Sequence, residues 1–488
     1  MSFQRKVLRA AIWTAVQNWG GQFGSLLVFF VLARLLNPED FGLVALANVF
    51  LAFVHIFLNQ GFPQALVQRE NLEPEHIDTA FWTNLACGCI LAIAGVAVSP
   101  FVAHFFDRPS LIPILRSFSL LILISSITDV QQALLERELA FKFVALRSLL
   151  GLFAGGLVGI GFALSGFGVW SLVAQQTTYE LVGAIVLWRG SPWRPRLRFS
   201  ARHFRDLFSF GVNILAFNFL GFINTRADDL LVGYFLGPVA LGYYSIAYRI
   251  STIMVKLLVD TCNRVALPTF SRMQTDIPRF RNAFYMATRL TSAIAFPCFL
   301  GVVVLAPAIV PWLFGDQWQP SVPVLQVLAA AGIFRSLSRF KGAVFMALGK
   351  PEWRVRLGLV NSCLNLIGFS IAARWGIVAV ACAYFLRNLI MFPIEQTILG
   401  RLIRGSITQY LRQFIVPLGS ALVMMGAIAW LDDAIASPAL SPMWEITICT
   451  LVGAVIYLLL VRCFDLALFN QFIELGSSVF PTPKKKSS

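Results

Sequence analysis

Apolar runs of 19–30 residues, separated by short polar breaks, recur from one end of the chain to the other. They predict helices over 11–36, 42–60, 80–106, 113–134, 144–165, 167–188, 207–236, 239–262, 284–312, 323–348, 354–374, 376–399, 410–431 and 444–462. A helix of roughly 20 apolar residues spans the hydrocarbon core of a bilayer. The pattern therefore predicts an all-α integral membrane protein with fourteen transmembrane helices and no sizeable extramembrane domain.

The polar breaks alternate in basicity. With the N-terminus on the cytoplasmic side, that side collects 27 of the 39 Lys and Arg, from Arg5, Lys6 and Arg9 to Lys484–Lys486. The opposite side receives Arg34, Arg108, Arg116 and Arg374. Cationic loops stay inside, so both termini are expected in the cytoplasm. The acidic stretch with Glu70, Glu73, Glu75 and Asp78 fits this scheme poorly. No cleavable signal peptide is expected, because the first span is too long for one and no small-residue cleavage site follows it. The longest break, 189–206, is basic and broken by Pro192 and Pro195. The tail PTPKKKSS is expected to anchor on anionic lipid headgroups.

Composition agrees. Hydrophobic residues make up 58% and charged residues 13% of 488, against about 45–50% and 25% in soluble domains. An ordinary soluble protein, a disordered chain and a secreted disulfide scaffold are excluded. The net charge of +15 follows from the cytoplasmic loops and does not call for nucleic acid. Six of the eight cysteines, among them Cys87, Cys298 and Cys449, lie in apolar runs and read as packing residues.

The chain repeats itself. LLNPEDFGLVALA (35–47) matches FLGPVALGYYSIA (235–247), with Leu36/Leu236, Pro38/Pro238, Gly42/Gly242 and Ala47/Ala247 identical. Ordered matches continue through Ala65/Ala266, Pro113/Pro323 and Gly168/Gly376. Six spans fall in each copy and both copies begin on the same side, so the repeats are parallel and relate by an axis along the membrane normal. The expected organisation is a first lobe at 1–200, a second at 201–405, and two extra helices with a basic tail at 406–488. Such a two-lobed protein reads as a transporter with its substrate path between the lobes.

Enzyme chemistry is missing. His55, His76, His104 and His203 show no metal-ligand spacing, so no metal site is expected. No phosphate loop and no nucleophile elbow is present. Gly151, Gly155 and Gly159 share a helix face, which suits close helix packing.

A charge in mid-membrane costs about 2.5–3.5 kcal/mol even on the insertion scale, so such residues mark cavities or partners. Here they are Arg226, Asp228, Asp229, Arg249, Lys256, Asp260, Arg335, Arg339, Lys341 and Arg387, with Asp129 and Glu180 in the first half. Within the repeat, Asn48 and His55 fall opposite Arg249 and Lys256, and Asp129 falls opposite Arg339. Arg335 and Arg339 stand four apart near the middle of one span and are expected to face a cavity together, with Lys341 turned away toward another helix or an acidic partner. Arg226 with Asp229 could instead be an internal ion pair. Arg289 is expected to snorkel to the interface. The surplus of cations suits an anion, above all phosphate or pyrophosphate on Arg. Asp129, Glu180 and Asp260 are candidate sites for a coupling ion, H+ or Na+, with no other cofactor expected.

ARLLNPEDFGLVALA, FINTRADDLLVGYFLGPVALGYYSIAYRI, ALPTFSRMQ, LFGDQWQPSVPVLQVLAAAG and ALGKPEWR resemble the polysaccharide-transporter (Wzx-type) flippases, and most of all the WzxC-like group. These belong to the multidrug/oligosaccharidyl-lipid/polysaccharide exporter superfamily. The resemblance covers roughly residues 1–430. It implies a fourteen-helix, two-lobed V in the bacterial inner membrane that exports polyprenyl-pyrophosphate-linked saccharide, of the undecaprenyl type, by alternating access. It also implies a monomer serving lipopolysaccharide or exopolysaccharide synthesis, in contact with membrane lipid, glycosyltransferases and a polymerase. Arginines that related lipid II flippases carry on the first span have no counterpart here beyond Arg34. A multidrug antiporter of the same superfamily is disfavoured by the cation excess. A membrane glycosyltransferase or polymerase is disfavoured by the lack of a large outer loop.

Overall fold

The computed structural model describes residues 3–58, 61–260, 270–435 and 441–471, with the side chains at 3–8, 11, 207, 209–217, 259 and 260 outside that description. The described residues form helices and no strands. The long ones are α1 (Phe3–Leu35), α2 (Pro38–Leu58), α4 (Pro74–Phe105), α5 (Leu111–Arg137), α6 (Phe141–Leu164), α7 (Trp170–Gly190) and α8 (Ala201–Val255), with a short α3 (Phe62–Gln68). Then follow α9 (Ile277–Phe314), α10 (Val322–Leu337), α11 (Lys341–Ala347), α12 (Pro351–Ala372), α13 (Ile377–Leu402), α14 (Ile407–Arg412), α15 (Ile415–Ile435) and α16 (Pro442–Phe464).

A helix stands at each of the fourteen predicted spans. Eleven segments among the described residues are long and apolar enough to cross a membrane. That number leaves out α1 and α7 and takes both parts of α8 as one run, Asn218–Leu258. α8 is broken at Gly237, whose φ of 82° lies in the left-handed region and is followed by Pro238. Glycine takes that conformation without a Cβ clash, and proline cannot continue the helix before it.

The chain divides into two compact units, Met1–Ser245 and Ile246–Ser488. In the first, α6 and α7 pack along the glycine stripe. A β-carbon on Gly155 would stand 2.6 Å from the Gln175 carbonyl oxygen, and one on Gly151 2.9 Å from that of Tyr179. Small residues admit this backbone approach, as the spacing predicted. The Pro38–Gly42 turn of α2 and the Pro238–Gly242 turn of α8 also meet without room for a side chain at either glycine.

The basic segment 191–200 is a docked strap. Trp82 Nε1 donates to the Arg196 carbonyl (2.7 Å), Arg196 N donates to Asp78 Oδ1 (3.1 Å) and Ser200 N donates to Thr79 Oγ1 (3.2 Å). Arg198 pairs with Glu75 at 3.2 Å and Arg69 with Asp206 at 3.4 Å. Within the acidic stretch that disagreed with the loop-charge pattern, Glu75 thus has a counter-charge on the strap and Asp78 accepts from its backbone.

In the second unit α9 is the central helix, packed by Phe280, Phe284 and Phe296 against Tyr410, Phe414, Met424 and Tyr457. The expected extra pair, α15 and α16, shares this core, and Tyr457 OH donates to the Ala293 carbonyl at 2.7 Å. Arg289 is paired with Asp465, just beyond the end of α16.

Candidate polar sites in the two units

In the first unit a cavity of about 220 Å³ is lined by Ala52, His55, Ile56, Asn218, Phe222, Thr225 and Arg226. Arg226 Nη1 bonds Asp229 Oδ2 at 3.1 Å, and its side chain stays 40% exposed while that of Asp229 is 10% exposed. One face of the guanidinium is therefore neutralised and the other is open to the cavity. The neighbouring Asp228 accepts a 3.0 Å hydrogen bond from Tyr244 OH. Away from the cavity, Asn84 Nδ2 donates to Asp129 Oδ2 at 3.3 Å. Arg147 joins Gln132 to Glu180, the latter at 3.3 Å.

In the second unit a chain of polar contacts crosses several helices. Arg335 lies over the rings of Tyr248 (5.7 Å) and Tyr384 (5.9 Å), and Arg387 lies 4.7 Å from the centre of Tyr384. Arg387 Nη1 donates to Asn361 Oδ1 at 2.8 Å, Asn361 Nδ2 donates to Glu395 Oε1 at 3.4 Å, and Lys341 pairs with Glu395. Two guanidiniums thus lie against one tyrosine ring, an arrangement worth about 0.5–2 kcal/mol per contact. Three cations, Arg335, Lys341 and Arg387, and the carboxylate of Glu395 lie along this chain of contacts. Planar guanidiniums held on an aromatic face are set to take a bidentate anion.

The sequence profile of the polysaccharide biosynthesis protein family matches residues 31–323, more than half of the chain. The chain belongs to the polysaccharide biosynthesis protein family. It is 27% identical over 485 residues to the succinoglycan biosynthesis transport protein ExoT of Rhizobium meliloti, covering 98% of this chain and 97% of that one. It is 25% identical over 425 residues to the lipopolysaccharide biosynthesis protein WzxC of Escherichia coli, covering 86% and 85%. Among solved structures, the lipid II flippase MurJ in an inward closed conformation superposes with a TM-score of 0.77 at 14% identity, over 94% of this chain and 99% of that one. This last likeness shows that the two share a fold. The WzxC-like resemblance read from the motifs is thereby borne out.

In this family member the structure draws together only some of the residues singled out in the sequence. Arg335 and Arg387 meet at Tyr384, and His55 and Arg226 line one cavity. Arg335 is half-buried near the end of α10, which stops at Leu337, and Arg339 stands exposed on the 3-10 turn Ser338–Phe340 that follows. Lys256 opens a π-helix, Lys256–Asp260, so its i,i+4 relation to Asp260 does not place the two as in an α-helix. The Asp260 side chain lies outside the described residues. Arg249 and Lys256 are exposed, and Asn48 is half-buried.

Asp129 accepts from Asn84 and Glu180 pairs with Arg147, and Arg147 and Glu180 both lie near enough to Asp129 to act on it electrostatically. Lys341 has the acidic partner expected of it. Sequence reasoning missed Tyr248, Tyr384, Asn361 and Glu395. Two signals were available: Tyr384 stands three residues before Arg387, and Glu395 is an isolated carboxylate in an apolar run.

Proposed function

We infer that this chain is a flippase that carries a lipid-linked saccharide across a membrane and performs no covalent chemistry. The observation that carries the reading is similarity along 98% of the chain to a polysaccharide biosynthesis transport protein. The substrate is a polyprenyl-pyrophosphate-linked saccharide of the undecaprenyl type, moved by alternating access across the bacterial inner membrane for lipopolysaccharide or exopolysaccharide synthesis. Both termini and the strap at 189–206 face the cytoplasm, and two parallel-repeat lobes, 1–200 and 201–405, do the work.

Arg335 and Arg387, held on Tyr384, take the pyrophosphate, because a guanidinium presents paired donors to a phosphoryl group and loses little freedom when already stacked. Arg249, Lys256 and Arg339 add attraction for the diphosphate. Arg226, His55 and Asn218 offer polar groups to the saccharide. Asp129 is the favoured site for a coupling H+ or Na+, since Glu180 already has Arg147 as its counter-ion.

The test is translocation of a fluorescent polyprenyl-pyrophosphate saccharide in proteoliposomes holding the purified full-length protein. Gradient-dependent flipping that is lost in Arg335→Ala and Arg387→Ala is expected. Absence of flipping by well-folded wild-type protein, under imposed proton and sodium gradients alike, would overturn the reading.

A further inference from the structure

Three potential metal ligands gather where the strap meets the start of α4. One nitrogen from each of His76 and His203 and a carboxylate oxygen of Glu73 lie within 4.8 Å of one another. We propose that Glu73, His76 and His203 form a divalent-metal site, suited to Zn2+, that clasps the strap and the start of α8 to α4.

Each ligand is held by its own piece of backbone. Glu73 is the residue before α4, extended at φ −86° and ψ 151°, and its carboxylate accepts from the His76 backbone N–H. His76 follows in the first turn, and His203 sits in the first turn of α8, 130 residues from Glu73. His203 Nε2 and Glu73 Oε2 are 3.0 Å apart, and the two imidazoles meet edge to face with centroids 4.2 Å apart. Zn–N and Zn–O bonds of about 2.0–2.2 Å put tetrahedral ligand atoms about 3.3–3.5 Å from each other. Small side-chain rotations reach that arrangement from the observed one.

The contacts around the three side chains are those a metal site needs. His203 Nδ1 is 2.7 Å from Ser200 Oγ, so with a metal on Nε2 the Nδ1–H donates to Ser200 and fixes the ring. His76 is buried, its Nε2 has no hydrogen-bond partner, and its Nδ1 receives only a 3.3 Å contact from Glu73 N–H. A buried imidazole with one nitrogen unused and the other weakly used has a lone pair to offer, through Nδ1 as the ring stands or through Nε2 after the proton moves across. Either nitrogen can ligate a metal.

Two imidazoles and one carboxylate are a borderline set that favours Zn2+ over Ca2+ or Mg2+, which take oxygen. Glu73 is exposed, which leaves room for water as the fourth ligand. Arg69 nearby opposes a cation, but Asp206 pairs with it at 3.4 Å.

The site does not depend on the flippase reading, and its test reads binding alone. Full-length protein without a polyhistidine tag, stripped by chelator and placed in nanodiscs, is titrated with Co2+ and then with Zn2+. One Co2+ per chain with tetrahedral visible absorption, displaced by Zn2+, is expected. Glu73→Gln and His203→Ala should each weaken Zn2+ binding at least tenfold, while His104→Ala leaves it unchanged. His203→Cys keeps a ligand in place and should add a thiolate-to-Co2+ charge-transfer band, which guards against a simple loss of folding. Zn2+ affinity unaltered by His203→Ala, or a folded His203→Cys protein with no charge-transfer band, would overturn the site.

Discussion

The carbonyl oxygen of Pro238 occupies the space that a side chain on Gly42 would need. Gly242 stands in the same relation to the carbonyl of Pro38, so the contact recurs with the partners exchanged. Residues matched at an offset of 200 therefore pack on each other about a local two-fold axis. Gly42→Ala and Gly242→Ala should each force the two turns apart at a cost of about 1–3 kcal/mol, the range for overpacking. Thermal unfolding in detergent should show similar losses for both. A loss confined to one would show that the sequence symmetry is not matched by an energetic one.

Tyr384 supports both Arg335 and Arg387 through its ring. Tyr384→Phe keeps the ring and should leave flipping within a few-fold of wild type. Tyr384→Leu removes the aromatic face and should lower flipping tenfold or more at equal expression, since each lost contact is worth about 0.5–2 kcal/mol. Arg335→Lys should fall between wild type and Arg335→Ala, because an ammonium keeps the charge but not the paired donors. Initial translocation rates in proteoliposomes check all three.

Glu395 is 3% exposed at the side chain and paired with Lys341. Lys341→Met leaves that carboxylate with the Asn361 contact at 3.4 Å as its recorded hydrogen bond. Breaking a buried pair costs about 3–5 kcal/mol, and the 31% exposure of Lys341 places this pair toward or below the lower end. The double variant Lys341→Met, Glu395→Leu should recover much of the loss. A double-mutant cycle on detergent melting temperatures measures the coupling.

The strap carries Arg194, Arg196 and Arg198; Pro195 blocks cleavage after Arg194, which leaves two trypsin sites, Arg196 and Arg198, on a stretch with no regular secondary structure. Its docking on Trp82, Asp78, Thr79 and Glu75 should make cleavage there slow in the folded protein. Trp82→Phe removes a 2.7 Å hydrogen bond and Glu75→Ala removes an exposed ion pair, so the former should accelerate cleavage more. Gel analysis of timed digests decides the order.

The membrane class and the helix positions were legible in the sequence, because each follows from local rules. Apolar runs of bilayer length must be helices, since backbone groups in oil have to bond within their own segment. The repeat is written in identities such as Pro38/Pro238 and Gly42/Gly242, and the stripe Gly151, Gly155, Gly159 declares its packing by spacing alone. Charges such as Arg226, Arg335 and Arg387 stood out because apolar runs expel charge unless something holds it.

Tertiary structure alone decided what each charge meets. That Arg335 and Arg387 share Tyr384, that Arg289 finds Asp465 and that Lys341 finds Glu395 depends on contacts between helices far apart in the chain. A 3-10 turn at Ser338–Phe340 follows α10 and carries Arg339, where apolar periodicity runs on unbroken. The strap brought Glu73, His76 and His203 together from positions whose spacing carries no ligand pattern. Hydropathy is a property of each residue with its near neighbours and can be read along a line. A charged or ligating group is satisfied by one partner at about 3 Å, and only the folded path of the chain says which.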